Sequence, residues 1–98
     1  MSAPKISKAQ SRDPFLLLVQ FDNGQWRRYD LAPLLSKSAF APLRDPALFH
    51  LVHVDAGGYG VIWNDEIDLS EHEIWLRGVA VDAPDEISSL LSAAEPST

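Results

Sequence analysis

The densest group of residues able to do chemistry is an acidic run, DEIDLSEHE, at positions 65–73. Its carboxylates are the ligands that hard cations such as Ca²⁺ and Mg²⁺ prefer, but it lacks the glycine and terminal glutamate of an EF-hand loop. Asp65 and Asp68 lie three positions apart in a segment predicted to be extended, so their side chains point to opposite faces. Glu71 and Glu73 suit the first turn of a helix, where the helix dipole favours negative charge. We therefore predict no bound metal and no cofactor.

The histidines and serines give no recognisable catalytic or zinc site. His50 and His53 would point to opposite faces of a predicted strand, and no third ligand lies nearby in the sequence. The chain has no cysteine, hence no thiolate nucleophile and no disulfide. The GGYG motif at 57–60 lacks the lysine and the following helix of a phosphate loop. We predict a protein that is not an enzyme; a hydrolase would instead show two convergent carboxylates in a cleft, or His72 beside a serine hydroxyl.

Charge is distributed unevenly along the chain, whose net charge is −6. Residues 1–13 carry three basic residues and one acidic residue, a balance of +2. From Asp55 onward, ten acidic residues stand against Arg77 alone, a balance of −9. Such a surface repels phosphate and raises the encounter rate with basic partners. We therefore expect no nucleic-acid binding and a basic protein partner.

Length and hydropathy favour one domain. A chain of this size buries about two-thirds of its unfolded surface, and with 46% hydrophobic residues it needs no metal or disulfide support. The apolar run FLLLV at 15–19 is too short for a signal-peptide core or a membrane span, so we expect a cytoplasmic protein that does not bind membranes. Residues 1–13 are polar and aperiodic and predict a flexible tail. The domain would then span 14–95, with a frayed end at 96–98.

A hairpin early in the chain is the first element expected to position these residues. Asn23 and Gly24 offer the positive φ angles of a type I′ turn, the strongest short-range hairpin signal. A two-residue turn there pairs Phe21 with Trp26. Arg27 then faces the other side of the strand, so it forms no continuous basic patch with the arginine that follows it.

Helix starts are marked by acidic and hydroxyl caps. Asp30 is predicted to cap a short helix, and Asp45 followed by Pro46 opens a single helical turn. Ser70, with a glutamate three residues later, predicts a capping box in which each side chain satisfies the other residue's backbone N–H. Gly78 is predicted to end that helix in the left-handed conformation.

These signals together predict an α+β fold. One antiparallel sheet would be built from two hairpins, at about residues 14–30 and 50–64. Short helices would lie between the hairpins, and further helices would lie at the C-terminal end, the last of them over 84–94.

One long pattern runs through most of the chain: FDNG…YDLAPLL…FAPLRDPALFHLVHVDAGGYGVIWNDEIDLSEHEIW. In this pattern the chain resembles the bacterial domain-of-unknown-function 2442 (DUF2442) family over roughly residues 15–76, most specifically in LRDPALFHLVHV and VIWNDEIDLS. The resemblance implies a small α+β domain without established catalytic residues. It also implies pairing with another small protein, with a toxin–antitoxin role proposed for some systems. Some relatives carry a helix-turn-helix, but about twenty residues follow Gly78 here, too few for that module, so DNA binding is not implied.

We therefore expect a protein–protein interaction module, in which this chain neutralises a small basic partner or pairs with a second copy. An open edge strand and surplus tryptophans would both suit a homodimer. The alternative is a small-molecule-binding domain with a tryptophan-lined groove between sheet and helix; whether the tryptophans line such a groove or fill the core stays open. The residues predicted to bind the partner are Asp65, Glu66, Asp68, Glu71, Glu73, Trp63 and Trp75.

Overall fold

The structure is a computed structural model that describes residues 3–82. Within this range the chain forms seven strands, two α-helices and two 3₁₀ helices. The strands are β1 (Ile6–Arg12), β2 (Leu16–Phe21), β3 (Trp26–Asp30), β4 (His53–Val54), β5 (Gly60–Asn64), β6 (Ile67–Ser70) and β7 (Val79–Val81). The α-helices are α1 (Pro46–Phe49) and α2 (Glu71–Arg77), and the 3₁₀ helices span Ala32–Ser36 and Ala41–Arg44.

The strands form two antiparallel sheets, which confirms the predicted α+β class. One sheet has the order β1-β2-β3-β7 and the other the order β4-β5-β6. The two predicted hairpins thus lie in separate sheets, whereas a single sheet was predicted. The reason is that β1 and β7 occupy the two edges of the β2–β3 hairpin, so neither edge is left for the second hairpin.

The prediction of a flexible tail over 1–13 is wrong for residues 6–12, which form β1. This strand pairs with the whole length of β2, and its first residue, Ile6, is buried in the core. The Ile6 amide also donates to the carbonyl of Gly58 at 2.8 Å. The strand is polar because it lies at the edge of the sheet, where backbone pairing rather than apolar burial holds it in place.

The turn of the first hairpin has three residues instead of the predicted two. The Gly24 amide donates to the Phe21 carbonyl at 2.9 Å, and the Phe21 amide donates to the Gln25 carbonyl at 2.8 Å. Only Gly24 has a positive φ here, at 87°, so Asn23 does not adopt the left-handed conformation that a type I′ turn requires. This is a type I turn followed by a glycine bulge, the usual three-residue hairpin loop.

The longer turn shifts the register of the hairpin by one residue. Trp26 lies opposite Gln20, not opposite Phe21 as predicted. Because side chains alternate along a strand, this shift decides which residues face the core. Tyr29 now lies across from Leu17, on the face that packs inward.

The caps predicted at Asp45 and Ser70 are present, whereas the N-cap of the first 3₁₀ helix is Leu31, not Asp30, and makes no side-chain cap hydrogen bond. Asp30 Oδ1 accepts from the Ala32 amide at 2.9 Å, at the start of the first 3₁₀ helix. Asp45 Oδ1 accepts from the Ala47 amide at 3.0 Å, and Pro46 occupies the first turn of α1. Ser70 Oγ accepts an amide hydrogen bond in the first turn of α2. Each cap satisfies a backbone donor that the helix itself leaves unpaired.

Gly78 is not left-handed, contrary to the prediction: its φ and ψ are −73° and 160°. Its role is to allow a close approach between α2 and β3. A Cβ atom at this position would lie 2.5 Å from the Ile74 carbonyl oxygen and 3.1 Å from Arg27 Cβ. The chain therefore leaves α2 in extended form and adds directly to the first sheet as β7.

One hydrophobic core joins the inner faces of both sheets. Its centre includes Trp63, whose indole Nε1 donates to the Phe49 carbonyl at 3.0 Å. No helix among residues 3–82 is long and apolar enough to cross a membrane. The helix predicted over 84–94 and the end at 96–98 lie outside the described residues. The buried core residues are Ile6, Leu17, Val19, Phe21, Tyr29, Leu31, Leu35, Leu43, Phe49, Val61, Trp63, Ile67, Leu69 and Ile74.

Candidate interaction surface

Three exposed carboxylates lie within four consecutive residues of the β5–β6 hairpin; we call Asp65, Glu66 and Asp68 the acidic surface. The turn that presents them is held by Asn64, whose Oδ1 accepts from the amides of Glu66 at 2.8 Å and Ile67 at 2.9 Å. Asp68 lies in β6 across from Ile62 of β5, on the outward face of the three-stranded sheet. All three carboxylates of the acidic surface are solvent-exposed.

No cation within residues 3–82 neutralises the acidic surface. The ion pairs of the described residues involve other carboxylates, those of Asp13 and Glu73. Between positions 53 and 70 the sequence contains four acidic residues and neither lysine nor arginine. The fourth acid, Asp55, accepts hydrogen bonds from the Gly57 and Tyr59 amides, so it shapes its own loop. The acidic surface is therefore negative and has no counterion within the part of the chain that the structure describes.

The acidic surface lies along an edge of the three-stranded sheet. β6 pairs with β5, and among the described residues no further strand pairs with β6. Exposed sheet edges are templates for strand addition, and a charged side chain limits which strands can add. Asp68 places a carboxylate within the four residues of this edge strand.

Glu71 and Glu73 lie in the first turn of α2, and both carboxylates form contacts within the molecule. Glu71 is partly buried, and its Oε1 accepts from the His72 amide at 3.2 Å. Glu73 Oε2 accepts from the Tyr29 hydroxyl at 2.8 Å, and its Oε1 lies 3.2 Å from Arg77 Nε. Only half of the predicted capping box forms. The backbone amide of Glu73 donates to Ser70 Oγ, but the Glu73 carboxylate binds Tyr29 and Arg77 instead of the Ser70 amide.

Tyr29 is the buried partner in this contact, with 6% of its surface exposed. Burial raises the pKa of its hydroxyl well above the usual range, and the hydrogen bond to Glu73 raises this pKa further. The phenol therefore stays protonated and remains a donor throughout the physiological pH range. Together with Arg77, it holds the Glu73 carboxylate between β3 and α2, and 32% of the Glu73 side chain remains exposed.

Trp63 is a core residue and cannot anchor a partner, contrary to the prediction. It is 3% exposed, and its ring stacks on Phe49 with a centroid separation of 6.3 Å. A side chain with almost no accessible surface offers an incoming protein nothing to contact.

Trp75 is half-buried and its ring is contacted within the molecule. The Arg27 guanidinium lies 3.8 Å from the ring centroid, and the Phe21 ring meets it edge-on at 5.0 Å. Arg27 Nε also donates to the Trp75 carbonyl at 3.4 Å. Arg27 is therefore part of the packing between β3 and α2, whereas Arg28 lies exposed on the other face of the strand.

Sequence reasoning missed a Ser-His-Asp cluster. Ser11 Oγ lies 2.6 Å from His50 Nδ1, and His50 Nε2 lies 3.0 Å from Asp13 Oδ1. These are the residue types of a hydrolase triad, but that chemistry relies on a buried acid and a site that excludes water. Here the Asp13 side chain is 85% exposed and that of His50 is 41% exposed. The geometry instead ties the β1–β2 connection to the end of α1.

Two other chemical alternatives, a metal site and His72 beside a serine hydroxyl, are not formed among the described residues. No group of three or more histidine, aspartate or glutamate side chains between residues 3 and 82 could hold a metal ion. The hydrogen bond formed at His72 comes from its backbone amide, not from its ring to a serine hydroxyl.

Comparison with known protein families finds one matching family. The model of a family described as "Protein of unknown function (DUF2442)" matches residues 6–80. This confirms the resemblance and extends it to the start of β1. No curated protein and no solved structure matched the chain.

Proposed function

The chain belongs to the DUF2442 family, and on that premise we propose that it is a protein–protein interaction module whose acidic surface binds a small basic protein. The observation that carries the proposal is that these three exposed carboxylates have no counterion among residues 3–82. In a cytoplasmic bacterial pair, the module would neutralise its partner by covering the partner's basic surface. No chemical step is required of it.

The acidic surface favours a basic partner over a second copy of the chain. Two copies meeting along β6 would bring their Asp68 carboxylates close together, with Asp65 and Glu66 at the same edge. Each pair of like charges at 4 Å costs about 1 kcal/mol even at the dielectric constant of bulk water, and like charges facing each other across strands are destabilising. If a partner instead placed lysine or arginine side chains opposite these carboxylates, the interaction would be attractive. A homodimer is therefore the weaker proposal at this edge.

Complementary charge sets the expected kinetics as well as the choice of partner. Opposite surface potentials raise association rates and make them dependent on ionic strength. The Debye length falls from about 10 Å at 0.1 M salt to roughly 4 Å at 0.5 M. Binding through the acidic surface should weaken over this range.

The direct experiment is affinity capture of the tagged full chain from its native host, in parallel at 0.1 M and 0.5 M salt, with intact species identified by native mass spectrometry. We expect a basic protein at low salt and much less of it at high salt. Recovery of the chain alone at low salt contradicts the proposal, as does an acidic partner retained equally at both salt concentrations.

Small-molecule binding is the second candidate, and a cleft of about 610 Å³ favours it. This cleft lies between β3 and α2, where a tryptophan-lined groove was expected. Its lining contains Tyr29 and charged side chains instead of tryptophan, so the class of ligand differs from the original expectation.

A further inference from the structure

The cleft beside β3 has the dimensions of a ligand site. Its walls come from β3, the first 3₁₀ helix, α2 and the first residue of β7, and its volume is about 610 Å³. Ligand pockets commonly fall between about 300 and 1,000 Å³. Two stretches that are distant in sequence, residues 28–37 and 73–79, thus meet around one concave space.

One side of the cleft is a closed polar network. Tyr29 donates to Glu73, and Glu73 pairs with Arg77. The hydroxyl, the carboxylate and the guanidinium of these side chains therefore already have partners. This network fixes the position of α2 against β3. It is the rigid part of the site, and it carries little net charge because Arg77 balances Glu73.

Two cations in the cleft have no such partner. Arg28 and Lys37 are both exposed, and within residues 3–82 neither forms an ion pair or a side-chain hydrogen bond. The remaining acid, Asp30, uses Oδ1 to hold the Ala32 amide. Counting Arg28, Lys37 and Arg77 against Asp30 and Glu73 gives the cleft a balance of +1, on a chain whose net charge is −6.

An apolar wall lies beside these cations. Pro33 and Leu34 contribute it from the 3₁₀ helix, and Val79 contributes it from β7. Val79 is 53% exposed, which is high for a valine in a strand. A ligand with a hydrocarbon portion would remove this surface from water at a gain of roughly 25 cal/mol per Å².

We propose that this cleft binds a small organic monoanion, a carboxylate on an apolar body, with the carboxylate at Arg28 and Lys37 and the body against Leu34 and Val79. This inference rests on the second candidate function, small-molecule binding at this cleft, and names its ligand class; it uses none of the acidic surface. An arginine guanidinium offers a planar pair of donors that matches a carboxylate.

The charge of the cleft selects against other ligand classes. A divalent cation would meet two unpaired cationic side chains. A polyphosphate would bring several negative charges close to Asp30 and Glu73, which the balance of +1 cannot offset. A single carboxylate neutralises the cleft and leaves Glu73 in its contact with Tyr29.

The test uses ¹⁵N-labelled full chain titrated with hexanoate at 0.1 M salt, with hexanamide and inorganic phosphate as parallel probes. We expect saturable shifts of the Arg28, Leu34 and Val79 amides with hexanoate, half-complete at about 10 mM or below, as suits a ligand of so few atoms. Hexanamide lacks the charge and phosphate lacks the apolar body, so each should bind at least several-fold more weakly.

Variants separate the site from a general charge effect. Arg28→Gln/Lys37→Gln should weaken hexanoate binding about tenfold or more, the consequence of losing both charge-assisted contacts. Lys8→Gln/Arg44→Gln changes the net charge equally, at exposed positions outside the cleft, and should leave binding unchanged. The amide spectra themselves report whether each variant is folded.

Three results would overturn the proposal: no saturable shift with hexanoate, equal binding of hexanamide, or equal loss in the two double variants. Val79→Ser supplies an independent check, because it keeps every charge and should weaken hexanoate but not phosphate. None of these results bears on the acidic surface, so failure here is distinguishable from failure of the proposed function.

Discussion

The hydroxyl of Tyr29 donates a 2.8 Å hydrogen bond to Glu73 Oε2, joining residues 44 positions apart. Through this contact the middle of the first sheet holds the first turn of α2. Arg77 completes the network from the last turn of the same helix. A second contact, between Trp75 and Arg27 on β3, holds the same helix. The helix that follows the acidic surface is thus attached to β3 through both contacts.

Replacing Tyr29 with phenylalanine should lower the free energy of unfolding by about 1 kcal/mol, the usual net value of a hydrogen bond to a partly buried group. The ring and its packing remain, so the loss reports the hydroxyl alone. Urea unfolding followed by tryptophan fluorescence measures it. Tyr59→Phe is the matched control, because that ring is 59% exposed and we expect a change of no more than a few tenths of a kcal/mol. Equal effects in the two variants would contradict the role given to the Tyr29 hydroxyl.

The same contact predicts a loss of stability at alkaline pH. The pKa of Tyr29 is raised in the folded state, mainly by burial, so the fold favours the protonated phenol. Its contribution is complete below the ordinary tyrosine pKa of about 10 and declines as the pH rises above that value. The stability difference between the wild type and Tyr29→Phe should therefore shrink as the pH rises from about 10 to about 12. A difference that stays constant or grows over this range would contradict the assignment.

Gly78 tests how tightly the chain leaves the end of α2 as it passes β3. Gly78→Ala places a methyl group 2.5 Å from the Ile74 carbonyl oxygen, and we expect a loss of about 1–3 kcal/mol, as for overpacking elsewhere. Chemical denaturation of this variant beside Ala80→Ser, an exposed change in β7, measures the effect. A neutral Gly78→Ala variant would mean that the helix end can move away from Arg27.

The two consecutive arginines should behave differently despite their shared chemistry. Arg27→Ala removes the cation–π contact and the packing of its stem on Trp75, with an expected loss of about 1 kcal/mol. Arg28→Ala should change stability by no more than about 0.5 kcal/mol, as is usual for an exposed side chain. Each variant serves as the control for the other in thermal or urea unfolding. Equal losses of stability would contradict the finding that Arg27 and Arg28 lie on opposite faces of β3.

Local signals were the predictable part of this fold. The caps at Asp45 and Ser70 depend on residues within three positions of one another, and both are present. Asp30 contacts the Ala32 amide, but the N-cap of that 3₁₀ helix is Leu31. The Asn23–Gly24 hairpin was located correctly but given the wrong turn type. A three-residue loop also places Gly24 in a left-handed conformation, so the same two letters fit both registers.

Non-local relationships were not predictable. Nothing in the polar sequence of residues 6–12 indicates that it pairs with β2, because an edge strand needs few apolar residues. The contact of Tyr29 with Glu73 and that of Ser11 with His50 span 44 and 39 positions. Of the predicted partner-binding residues, Trp63 is in the core because its side chain lies on the inward face of β5. Which face of β5 is inward depends on how the sheets pack, and the local sequence does not show this.

The central claim is most directly tested by measuring how the captured partner's affinity depends on the acidic surface. Asp65→Asn/Asp68→Asn removes two charges from it, and Asp22→Asn/Asp82→Asn removes two charges elsewhere on the exposed surface of the chain. We predict that the first variant binds the partner at least about tenfold more weakly, a loss of roughly 1.4 kcal/mol, while the second binds like the wild type. Equal affinities for the two variants would contradict the claim that the acidic surface is the binding site.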